Sequence, residues 1–158
     1  MKMTRKKKII FLITGIALLS FIVWNLVWFV FVSTIYTPFT KEVTKDKYGS
    51  HHIVDSDGYN YNVAMPIYLF FSGNLAVVAP EAKSTLIIWP KVFGGYEYGV
   101  RIQDASGGYE IMIDADGNPI RLPQQSNKEF DTLVSIIENN KKDVQEILKK
   151  AHNVWELN

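Results

Sequence analysis

The first hydrophobic pattern in the chain is an unbroken one: Ile9 to Tyr36, 28 residues, carry no charged side chain. A bilayer core of about 30 Å is crossed by about 20 apolar helical residues, because a spanning backbone must satisfy its own hydrogen bonds. Residues 9–36 therefore predict a transmembrane helix with length to spare, the surplus taken up by tilt or by an end lying among headgroups. Trp24, Trp28 and Tyr36 are amphipathic aromatics of the kind found at that interface. Asn25 is the one strongly polar side chain in the run, expected either near the water interface or in a hydrogen bond to a partner helix. Phe21, Trp24, Trp28 and Phe31 form one aromatic stripe beside it, and Pro38 is expected to end the helix.

Beyond a polar connector at 37–50 the pattern changes period. Val54 to Tyr59 places Asp57-Gly58 ahead of Tyr59, Tyr61 and Val63, which alternate with Asn60 and Asn62; this reads as a hairpin. Gly58 to Pro80 is again free of charge. Its arms Ile67–Phe71 and Leu75–Ala79 predict two core strands turned at Ser72-Gly73-Asn74. The same stretch read as a second span would put the C-terminal half in the cytoplasm. Thr85–Trp89 is a further short apolar run, and Tyr96, Tyr98, Val100 and Ile102, then Tyr109, Ile111 and Ile113, alternate with polar neighbours. These, with a turn at Asp116-Gly117 into Ile120 and Leu122, predict a three-strand meander. Ser126 and Glu129 form a capping box for a final helix. From Phe130 to Trp155 its apolar stripe holds one phase through Asn139-Asn140-Lys141-Lys142, which allows one bent helix or two in line. The fold class is α+β: a membrane helix, then a small antiparallel sheet of hairpins and a meander, closed by a long or bent C-terminal helix. The division is 1–8, 9–36, 37–50 and 51–158.

Charge sets the orientation. Lys2, Arg5, Lys6, Lys7 and Lys8 precede the helix, against Lys41, Lys45 and Lys47 after it; basic residues are kept in the cytoplasm, so residues 1–8 form a short cytoplasmic tail. A cleaved signal has an apolar core of about 7 to 15 residues and a small-residue cleavage site. This run is longer and lacks such a site, which favours an uncleaved signal anchor. Of the 17 Lys and Arg, 12 lie after the helix together with all 16 Asp and Glu. The domain at 51–158 is thus expected outside the cytoplasm and weakly acidic, unsuited to nucleic acid, whose binding rests on basic residues neutralising phosphates. With no cysteine in the chain, thiol nucleophiles, iron-sulfur clusters, thiolate zinc sites and lipoprotein anchoring are excluded.

Little else points to chemistry. Asp55-Ser56-Asp57-Gly58 and Asp114-Ala115-Asp116-Gly117 lack the sixth-position Gly and twelfth-position Glu of an EF-hand and read as turns. His51 and His52 with Asp55 and Asp57 have a composition suited to a divalent metal, but adjacent strand residues point to opposite faces. Arg101 beside Glu97 and Glu110 reads as a cross-strand ion pair rather than a hydrolase site. Tyr96, Tyr98, Arg101 and Tyr109 are a candidate binding surface, although alternation draws several tyrosines inward. The expectation is a non-catalytic accessory or regulatory protein of the cell membrane, without a cofactor, that meets the bilayer and a membrane or envelope protein. A metal-dependent envelope enzyme using the His51, His52, Asp55 and Asp57 cluster, and a two-pass protein, are the alternatives.

Overall fold

The computed structural model describes residues 4–47, 49–104 and 107–157. Lys2, used for the charge bias, and Ala105-Ser106, inside an expected turn, lie outside the described residues. Helix α1 (Arg5–Phe31) is continued by a π turn, Val32–Tyr36, and a 3-10 turn, Thr37–Thr40. Pro38 does not end the helical rod. Its missing N–H cannot close an α-helical bond to Thr34, and the preceding turn widens instead, so that Thr37 N–H donates to Val32 O five residues back. The Thr37 hydroxyl donates to the same carbonyl at 3.2 Å. Arg5–Thr40 is the one helix among the described residues long and apolar enough to cross a membrane.

Among the described residues six antiparallel strands follow in sequential order: β1 (His51–Val54), β2 (Asn60–Ala64), β3 (Asn74–Val78), β4 (Ser84–Pro90), β5 (Tyr96–Asp104) and β6 (Gly107–Ile113). Two helices, α2 (Asn127–Asn139) and α3 (Lys141–Trp155), come after them. The period-2 residues do what alternation requires. Tyr61, Val63, Leu75, Val77, Leu86, Ile88, Tyr98, Val100, Ile102, Ile111 and Ile113 are all buried, and they meet Ile137, Val144, Ile147, Ala151 and Trp155 from the helices in one core. The capping box is present: Ser126 Oγ accepts from Glu129 N–H, and the Glu129 carboxylate accepts from Ser126 N–H at 2.8 Å. At Asn140 the side-chain amide donates to Ile136 O at 2.9 Å, competing with the helical ladder as Asn does, and two helices result rather than one.

Two expected strands are absent. Ile67–Phe71 is part of a loop, and β3 pairs with β2 across it rather than with that arm. Pro66 supplies no ladder donor ahead of them, and Leu69 at φ 66° lies outside the extended region that a strand requires. Ile120 and Leu122 form no strand either; Pro119 makes only an isolated bridge to Ile113, since Pro119 and Pro123 supply no ladder donors. Both Asp-x-Asp-Gly elements are turns, with Gly58 and Gly117 at φ 86° and 85°, a region that glycine enters without strain. The connector is less free than its polarity implied. Val43 is fully buried in the core, and Lys45 bridges to His51.

Candidate functional site

The up-and-down order of the sheet puts the β2–β3 and β4–β5 connections at one end, and the Asp55–Gly58 and Ala79–Lys83 turns at the other. At the first end the β2–β3 loop lies along the C-terminal half of α1. It meets all four residues that the sequence marks as interfacial. Trp24 stacks edge-on against Phe71 with centroids 5.2 Å apart. The Tyr68 hydroxyl donates to Asn25 Oδ1, while Asn25 Nδ2 donates to Phe21 O at 2.8 Å. Trp28 Nε1 donates to Phe70 O at 2.8 Å. The Tyr36 hydroxyl, on a side chain buried to 1% exposure, accepts from Gly73 N–H at 3.0 Å. Asn25 is thus bonded within its own chain, an outcome neither of its two expected roles anticipated.

The loop is held against a conformational cost. Phe70 N–H donates to Ile67 O at 2.8 Å, closing a turn with Leu69 at φ 66°, a region costing an L-residue roughly 1–2 kcal/mol. Such strain persists where surrounding contacts over-determine it, and here the helix supplies them. Gly73 is needed because the backbones approach closely: a Cβ there would fall on Ala64 O and lie 2.7 Å from a Tyr36 ring carbon. The β4–β5 turn, closed by Lys91 N–H donating to Gly95 O at 3.0 Å, completes this end. It projects Val92 and a fully exposed Phe93, and Val92 shares a cleft with Val30, Phe31, Ile35 and Phe71.

The second surface is the sheet face turned away from α2 and α3. One transverse row crosses it in register: His52, Asn62, Ala76, Ile87, Gly99 and Met112. Beside the row Trp89 lies over Gly99, where a Cβ would come within 2.9 Å of the indole. Ala76, Ile87, Trp89 and Met112 are half-buried, on the side opposite the core residues that α2 and α3 pack against. This strip was missed because Ala76, Ile87 and Trp89 fall inside continuous apolar runs that read as core strands, and only Met112 alternates with apolar neighbours. Trp89 was its visible signal.

The four-residue surface of Tyr96, Tyr98, Arg101 and Tyr109 is not formed. Tyr98 is buried, and Tyr96 and Tyr109 pack against the core; burial pushes the Tyr96 and Tyr98 phenols up. Arg101, an odd step away on β5, faces the other side and pairs with Glu110 at 2.9 Å. Nor do the metal candidates converge. His51 and His52 are consecutive on β1, and the His51 Nδ1–H donates to Val43 O at 2.9 Å. Asp55 accepts from Ser56 N–H at 2.7 Å, and Asp57 pairs with Lys150 of α3. Among the described residues no group of three or more His, Cys, Asp or Glu could hold a metal ion.

The Asp57–Lys150 pair fastens the far end of the sheet to α3. Its hydrogen bond holds the Asp57 carboxyl below the usual range and the Lys150 ammonium above it. Lys150 Nζ also sits 4.9 Å from the Tyr59 ring centroid. Burial, and then a hydrogen bond to Glu146, push the Tyr59 phenol up to about 12. No protein-family model matches the chain, and neither a curated protein nor a solved structure is found to resemble it.

Proposed function

We propose that this chain is a single-pass, membrane-anchored accessory protein, its N-terminus cytoplasmic and its α+β domain outside, acting as a non-catalytic subunit or regulator of an envelope complex. What carries the reading is the seam between helix and sheet. Trp24, Asn25, Trp28 and Tyr36 each engage the β2–β3 loop, so the anchor is a packing partner of the domain rather than a tether. A domain held at a set height presents its open face to neighbouring membrane proteins in one orientation. Paying the orientational cost in advance in this way favours association. The strip of Ala76, Ile87, Trp89 and Met112, each half-buried, is the binding face in this reading, since Trp and Met are enriched at interfaces. The basic bias before α1 supports the orientation.

The test is site-specific photocrosslinking in intact membranes, from Ile87 on the open face and from Ser56 at the far turn. The expected outcome is a discrete adduct to a membrane protein from Ile87 only, lost in Trp89→Ala while the melting temperature is kept. Equal labelling from both positions, or none from Ile87, would sink the proposal.

A further inference from the structure

We propose that the β2–β3 loop enters the bilayer beside the helix, with Ile67 and Phe70 at the boundary between headgroups and acyl chains and Phe93 of the β4–β5 turn among the headgroups just outside it. The inference rests on reading α1 as a membrane span and deepens it. Lys8 fixes the inner end of the apolar run, and about 20 residues cross the hydrocarbon, which brings the outer boundary to Trp28. The Tyr68 hydroxyl meets the helix at Asn25, three residues further in, about 5 Å at 1.5 Å per residue. The loop tip then lies below the boundary whenever the helix spans.

Its side chains suit that depth. Ile67, Tyr68, Phe70, Val92 and Phe93 are all exposed, and the β2–β3 loop carries no charge. Its polar groups suit the depth as well. Backbone and hydroxyl groups withdrawn from water need protein partners, and Phe70 O and Tyr68 OH find theirs in Trp28 and Asn25. Sliding the span outward until Tyr36 reached the boundary would submerge the sheet edge, so Trp28 is the level that keeps the strands in water. Lys91, at the base of the Phe93 turn and 3.3 Å from Glu97, falls among the headgroups.

Because the chain has no cysteine, single spin labels test this directly in the full-length protein, reconstituted in phosphatidylcholine–phosphatidylglycerol vesicles. The positions are Ile67→Cys, Phe93→Cys, Leu18→Cys within α1 and Ser56→Cys at the far turn. The readout is the collision ratio of oxygen to a water-soluble nickel chelate. The expected result is a high ratio at Leu18, an intermediate one at Ile67 and Phe93, severalfold above Ser56, and a low one at Ser56. A high ratio at Leu18 with values at Ile67 and Phe93 equal to Ser56 overturns the loop insertion and leaves the span standing. Shielding of Ile67 and Phe93 from both reagents means that protein, such as a second copy, covers them, and also overturns it. A low ratio at Leu18 removes the span itself.

Discussion

Gly73 carries more of the seam than any charged residue does. Its N–H reaches the buried Tyr36 hydroxyl, and the space for a side chain is taken by Ala64 O, the Tyr36 ring and Pro66. Since a backbone oxygen cannot step aside as a flexible side chain can, Gly73→Ala is expected to destabilise by roughly 1–3 kcal/mol, as overpacking does. Denaturant unfolding checks this, with Gly94→Ala as a comparison that meets open space but adds strain at φ 91°. Unchanged stability in Gly73→Ala would mean the loop does not seat as described. At this scale the sequence was partly legible. Trp24, Asn25, Trp28 and Tyr36 stood out as polar-tipped residues in an apolar run, yet that their partners would be Tyr68, Phe70, Phe71 and Gly73 depends on contacts more than 35 residues apart, which no local pattern encodes.

Among the elements, α3 and the β1–β2 turn are joined by ionisable groups, and their stability follows pH in both directions. The Asp57 carboxyl is depressed by Lys150, so its contribution is present above the ordinary carboxylate pKa of about 3.9 and is lost as pH falls through the lower folded value. Lys150 is raised by Asp57, and the Tyr59 phenol lies at about 12. Their contributions are full below ordinary values of about 10 and are lost as pH rises through the folded ones. Melting temperature is therefore expected to fall on both flanks. Lys150→Met should flatten the acid flank, and Tyr59→Phe the alkaline one. A Tyr59→Phe profile that matches the parent above pH 10 would contradict the assignment. Periodicity foretold α2, α3 and the alternating strands because burial of one face fixes register. It failed at Ile67–Phe71, where the apolar residues answer to the long helix and not to the sheet core, and at Ile120, where proline removes the donors.

The whole molecule is built around a helical rod that is exposed along one part and packed along another. Through Ile9–Val30 its side chains are largely exposed, whereas Phe31 and Tyr36, and Val43 just beyond its end, are buried by the domain. Phe31 and Tyr36 stack against one another at 5.7 Å, and Phe31 against Phe71 at 5.0 Å. A division that ends the anchor at 36 and starts the domain at 51 therefore cuts through a packed region. The sequence suggested that boundary because an apolar run and a polar connector look separable, and burial of a connector residue such as Val43 leaves no periodic trace. The structure predicts that a chain beginning at Phe29 is more stable than one beginning at Lys41. The shorter chain forfeits Phe31 and Tyr36, each worth about 1.5–3 kcal/mol when fully buried, and exposes Phe71 in their place. The check is thermal unfolding of both in mild detergent, where the expected outcome is a lower melting temperature and faster proteolysis within 65–73 for the shorter chain. Equal melting and equal cleavage would show that the rod and the sheet are independent, and the proposal that the helix holds the open face at a fixed height would go with that result.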